Sequence, residues 1–238
     1  MPTFALARIT RPLLLSLVLA AAAVQAQESG DKHLAPGFTV RPAESRLLVL
    51  PADMELYSMS AGGIVEPRAD WTEAAQKNFV SALSAQRRIL GAHVTQMSPA
   101  DADEYSDIVT LHRAVADAIS LHHNGGFMEL ATKGTRLDWT LGDAVQPLRE
   151  RTGADYALFT WVRDSYASTE RKAAMVALAL LGAISFGGEQ VGYASLVDLR
   201  TGRVVWFNQL DRMSGDLRDP EPAVETVEAL LKGFPRQQ

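Results

Sequence analysis

Five histidines are the first places to look for chemistry: His33, His93, His112 and the adjacent His122 and His123. His112 and His122 are ten residues apart, close to three helical turns, which would separate their imidazoles along a helix axis. No pair has the i, i+4 spacing that offers two imidazoles to one metal, and no His-Glu-x-x-His run occurs. Asp101, Asp103, Glu104 and Asp107 are acidic neighbours, but they lie where a helix should start, and there the helix dipole favours negative charge. A serine nucleophile on a Gly-x-Ser-x-Gly turn is absent, because Ser185-Phe186-Gly187-Gly188 lacks the preceding glycine. Neither glycine-rich phosphate loop is present, and the pairs Gly62-Gly63, Gly125-Gly126 and Gly187-Gly188 read as turns. With no cysteine, the chain has no thiolate nucleophile and no thiolate metal ligand. The expectation is therefore no enzyme, no cofactor and no metal. An enzyme whose site forms only in three dimensions stays open, since paired carboxylates leave no linear signature.

The elements that would position any site form an interleaved pattern. Leu47-Leu48-Val49-Leu50 before Pro51 suits a strand buried on both faces. Met54 to Ser60 continues extended, turns at Ala61-Gly62-Gly63 and returns through Ile64 and Val65. Asp70 is expected to cap a helix, with Glu73 completing a capping box. Trp71, Ala75, Phe79, Ala82, Leu83, Gln86 and Leu90 follow at helical spacing, and Gly91 stops the run. His93 to Met97 reads as a second strand, and Ser98-Pro99 starts a helical region through Ile108, Leu111, Val115 and Ile119. Thr140 can cap a helix that ends at Gly153. Tyr156 to Val162 is apolar on both alternating faces, the pattern of an interior strand. Val191 to Leu199 and Val204 to Leu210 form a hairpin about Arg200-Thr201-Gly202-Arg203, and Asp219-Pro220 opens a last helix closed by Gly233. This order predicts an α/β fold: a mixed β-sheet packed with helices, ending in a β-hairpin and a C-terminal helix.

The chain's first residues set its compartment. Arg8 and Arg11 precede an apolar stretch from Leu13 to Ala23, broken only by Ser16, and then Val24-Gln25-Ala26. That is the three-part plan of a secretory signal peptide, with cleavage expected before Gln27. Its 11-residue core is short of the roughly 20 that span a membrane. The organisation that follows is signal peptide 1–26, flexible leader 27–45, and one domain over 46–235 with an apolar insertion at about 164–190. The expected location is the periplasm, with possible outer-membrane association, and no cysteine is present to carry a lipid anchor. Net charge moves from −5 to about −7 once the two leader arginines are removed. Basic residues cluster only as pairs such as Arg87-Arg88 and Arg171-Lys172, which argues against nucleic acid as a partner.

One segment does not suit a plain domain. Ala173 to Gly188 carries no charge in 16 residues and is apolar all round, which demands cover on every side. Three readings compete: a helix buried in its own domain, an interface with a partner or a second copy, and a segment that enters lipid. The candidate contact residues are Met175, Val176, Leu178, Leu180, Leu181, Ile184 and Phe186.

A family likeness rests on motifs in order. Leu47-Leu48-Val49-Leu50-Pro51-Ala52, Gly153-Ala154-Asp155-Tyr156-Ala157-Leu158, the run from Ala194 to Trp206, and Leu230-Leu231-Lys232-Gly233-Phe234-Pro235 resemble the envelope α/β domains of the TolB amino-terminal, CsgG and LpoB kind. The chain departs from that pattern at Pro51-Ala52, in lacking a lipidated cysteine, and in the greasier stretch 164–190. The resemblance implies a non-enzymatic envelope protein that binds another envelope protein or self-assembles. An outer-membrane-inserting assembly or secretion-channel component is the alternative. It carries over no catalytic residues.

Overall fold

The computed structural model describes residues 31–125, 128–180 and 188–238. The expected signal peptide lies outside them, and His33–Gln238 forms the body considered below. Strand β1 (Leu47–Val49) is followed by β2 (Asp53–Met59) and the short β3 (Val65–Pro67). Helices α1 (Ala69–Ala85) and α2 (Arg87–Leu90) lead to β4 (Val94–Gln96), and α3 (Pro99–Asp103) and α4 (Ser106–Ile119) come next. A 3-10 turn at Gly142–Val145 enters α5 (Gln146–Thr152), then β5 (Tyr156–Ala167) and α6 (Thr169–Leu180). The chain closes with β6 (Gly188–Asp198), β7 (Val204–Arg212) and α7 (Pro220–Leu230).

β5 is the spine of the sheet. On one side it pairs in parallel with β1 and β2 in tandem, Leu47 opposite Tyr156 and Asp53 opposite Trp161. Pro51, which has no amide hydrogen to donate, falls in the gap between those two short strands. On the other side β5 runs antiparallel to β6, and β7 lies outside β6. β4 pairs with β1 and β3 with β2 at the opposite edge.

Alternation along β5 feeds two cores. Leu158, Val162 and Tyr166 pack with Phe79 and Leu83 of α1 and with Val227 and Leu230 of α7. Ala157 and Phe159 pack with Ile108, Ala116 and Ile119 of α4 and with Leu148 of α5. The result is a mixed sheet between two helical layers, the α/β class that the order of elements predicts. The hairpin forms where expected: Gly202 adopts φ +69°, and a β-carbon there would stand 2.1 Å from Gly142 O.

Two local expectations are corrected. Helix α1 begins after Arg68 without a side-chain cap, and Asp70 lies inside the first turn, where its Oδ2 is 2.7 Å from Arg68 Nη2. Glu73 reaches forward to Lys77 at 2.7 Å rather than back to the helix start. The neighbouring guanidinium and ammonium outcompete the capping box for these carboxylates.

The segment expected to be a flexible leader is packed from His33 onward. Leu34 bridges Trp206, and Ala35 is buried. Arg41 is fully buried, its Nε donating to Pro235 O at 3.0 Å and its Nη2 to Leu90 O at 2.7 Å. Its guanidinium also sits 4.9 Å from the centre of the Phe234 ring, and burial lowers its pKa to about 10. A lone arginine between Val40 and Pro42 reads as a loop in sequence, yet here it binds the carbonyls left open at the end of α2 and near the C-terminus.

Candidate functional site

Helix α6 grows directly out of the spine strand. Ser168 N donates to Met59 O at 2.9 Å, and Ser168 Oγ accepts from Arg171 N at 3.2 Å, so the helix base is fixed to β2. Arg171 Nη1 adds a bond to Ser60 O at 3.2 Å, in the turn that leads to β3. Beyond this base no residue of α6 is buried. Val176 is 64 %, Leu178 44 % and Leu180 84 % exposed, and Met175 is half-buried. Leu181, Ile184 and Phe186 lie outside the described residues. The reading of this segment as a helix buried by its own domain is therefore overturned for Thr169–Leu180: both sheet faces are already covered, one by α1 and α7 and the other by α4 and α5.

Strand register gathers more apolar surface at the same end of the sheet. Met59 stands opposite Ala167, Tyr166 opposite Gly188 and Gln190 opposite Arg212. The β2–β3 turn, the base of α6 and the loop after β7 thus share one end, and they expose Ile64, Val65 and Met213. An isolated helix of 12 residues is marginal in water, and one with a bare apolar surface gains nothing from solvent.

The histidines do not converge. His93 Nε2 is 3.3 Å from Glu44, half-exposed, and His122 Nδ1 lies 2.7 Å from Met128 O. His33 Nδ1 is 3.0 Å from Phe207 O on β7. His112 is buried, stacked 4.0 Å from the Phe159 ring, with Nε2 at 2.5 Å from Ser195 Oγ. Burial drives its pKa down to about 3, so it is neutral. The cavity beside this His–Ser pair measures about 20 Å³, room for about one water. The acidic stretch starts α3, where Ser98 Oγ accepts from Asp101 N at 3.1 Å. Among the described residues no three histidine or carboxylate side chains gather around a point that could hold a metal.

A second polar centre escapes the sequence. Asp164 on β5 is 2 % exposed; the Tyr166 hydroxyl donates to its Oδ2, and Gln190 Nε2 donates to the same oxygen at 2.5 Å. Gln190 Oε1 accepts from Arg212 Nε at 2.8 Å, and Arg212 Nη2 donates to Thr226 Oγ1 at 2.6 Å. The Tyr166 hydroxyl oxygen also accepts from Leu217 N at 2.8 Å. The network therefore ties β5, β6, β7 and α7 to the loop between the last two. Burial pushes Asp164 up to about 6, against the pull of the two bonds it accepts. One signal in the sequence could have found it: Asp164 and Gln190 occupy inward positions of strands whose other inward residues, such as Val162 and Ala194, are apolar.

No family model and no curated protein matches the chain. Among solved structures it is similar to the PelC dodecamer from Paraburkholderia phytofirmans, with 15 % identity and a TM-score of 0.40 over 84 % of this chain and 96 % of that one. It is also similar to lipoprotein GNA1162 from Neisseria meningitidis, with 16 % identity and a TM-score of 0.29 over 73 % of this chain and 82 % of that one. The LpoB C-terminal domain from Salmonella enterica aligns with 11 % identity and a TM-score of 0.29 over 83 % of this chain and 94 % of that one. LpoB is among the proteins whose motifs the sequence resembles, but likenesses this distant assign the chain to no family.

Proposed function

We propose that this protein is an exported, non-enzymatic component of the cell envelope that docks, through the α6 end of its sheet, against another envelope protein or a second copy of itself. The observation that carries the proposal is α6 itself: a helix rooted in the central strand, with no buried residue and with Val176, Leu178 and Leu180 bare. Covering one such side chain is worth about 1.5–3 kcal/mol, so three of them supply a substantial part of a micromolar interface. The leader supports export, and the absence of converging catalytic groups around His112 and His93 supports a binding role. The test is light scattering on the chain expressed with its own leader and recovered after export. The wild type should form discrete oligomers or retain a partner, and Val176→Glu/Leu178→Glu/Leu180→Glu should release a folded monomer. Unchanged assembly in the triple variant would remove α6 from the interface.

A second reading, entry into the outer membrane, is favoured by the uncharged run from Ala173 to Gly188 that follows Arg171 and Lys172. No helix among the described residues is long and apolar enough to cross a membrane. This reading predicts co-sedimentation with anionic vesicles that the triple variant loses, and wild-type protein that stays in the supernatant would end it.

A further inference from the structure

A cavity of about 170 Å³ opens where β5, β6 and the loop after β7 meet. An engineered cavity of similar size, about 150 Å³, accepts benzene, so this one has room for a short alkyl group. Its lining includes Asp164, Ser165, Glu189, Gln190, Met213 and Ser214, which is two carboxylates and no cation. Asp164 is the buried one. Both of its hydrogen bonds fall on Oδ2, which leaves Oδ1 without a protein donor although a carboxylate can accept about four.

The nearby cations are engaged elsewhere. Arg212 on β7 is held one residue away, bonded to Gln190 Oε1, and Arg218 pairs with Asp216 at 2.5 Å. A buried carboxylate with a free oxygen and no ion pair is costly, and a bound cation is what would offset it. Too few ligating side chains gather here for a metal among the described residues. An ammonium needs only hydrogen-bond acceptors, and beside the Asp164 carboxylate the cavity wall offers Ser214. Met213 adds a flexible, polarisable wall for an alkyl stem. The loop closes this tightly because residue 215 is glycine at φ +118°: a β-carbon there would lie 2.7 Å from Arg212 Nη2.

We propose that this cavity binds a primary ammonium group on a short alkyl stem, with Asp164 Oδ1 as its anchor. The ammonium belongs either to a free alkyl amine or to a lysine side chain of a partner. The site shares Met213 with the α6 end of the sheet, but its anchor Asp164 is buried and no part of that surface.

The charged and titratable groups that face Asp164 are Tyr166 on its own strand, Arg212 on β7, and Asp216 and Arg218 in the loop. Since Asp164 titrates near 6, affinity for an ammonium should rise several-fold from pH 5 to pH 6 and level off by pH 8.

The experiment titrates the exported protein with 1,5-diaminopentane by calorimetry or NMR, using 1-pentanol as the uncharged control and Nα-acetyl-lysine amide as a third probe. The diamine should bind and pentanol should not, and Asp164→Asn should weaken the diamine at least tenfold. Should Asp164→Asn fail to fold, the wild-type pH profile and the exposed substitution Ser214→Ala, expected to weaken binding about threefold, decide the matter. Diamine binding without acetyl-lysine amide identifies a free amine, and binding of both admits a partner's lysine; either supports the site. Equal binding of pentanol, a flat pH profile, or no diamine binding at all would overturn it.

Discussion

Replacing Asp164 with asparagine keeps the shape of a buried side chain and removes its charge, so the pH dependence of folding isolates what that charge does. The asparagine carbonyl can still accept from the Tyr166 hydroxyl and from Gln190 Nε2, the two donors that the carboxylate now serves. The folded protein holds the Asp164 proton to about pH 6, against an ordinary value of 3.8. A carboxyl whose pKa is raised on folding stabilises the native state below its unfolded value, and that stability is lost as pH rises through the folded value. The interval corresponds to about 3 kcal/mol, at about 1.36 kcal/mol for each tenfold change in proton affinity. Urea denaturation followed by tryptophan fluorescence at pH 4, 5, 6, 7 and 8 gives both stability curves. Other carboxylates titrate in both proteins and cancel in the difference. The variant should therefore gain on the wild type by roughly 2–3 kcal/mol between pH 4 and pH 7.5, with most of the change between pH 4 and 6. Parallel curves would refute the reasoning and would mean that water or a counter-ion neutralises Asp164 in the native state.

Three further outcomes follow from buried contacts. Ser195→Ala leaves His112 Nε2 without its partner in the core and should cost about 1–3 kcal/mol, read from the denaturation midpoint. Arg41→Met removes the donor to Pro235 O and Leu90 O and should cost about 3 kcal/mol, with faster proteolysis near the C-terminus. Gly202→Ala forces a β-carbon into Gly142 O at φ +69° and should cost about 2 kcal/mol, lowering Tm by roughly 4–8 °C.

Periodicity made most of the sheet legible. The double-sided apolar run at Tyr156 to Val162 marked the interior strand, and Gly202 marked the hairpin, because burial and backbone sign leave local traces. Less local facts were not. An all-apolar run announces that α6 needs cover, but only the placement of α1, α7, α4 and α5 reveals that, among the described residues, both faces of the sheet are already taken. Asp70 looked like a cap because the spacing to Glu73 was right, yet the arginine two residues earlier decides where its carboxylate goes. Arg41 and the Asp164 network depend on partners between 14 and 194 residues away, apart from Tyr166, and no short window along the chain shows them together.

The seam between the first and last parts of the body bears on how the chain would mature under the export proposed above. Arg41 N donates to Arg236 O at 2.9 Å, and Gln238 N donates to Arg41 O at 3.0 Å, while the spine strand draws its neighbours from both halves of the sequence. A polypeptide threaded through a membrane from its amino end would not complete this seam until residues 236–238 had crossed. Contacts of such long sequence separation form slowly.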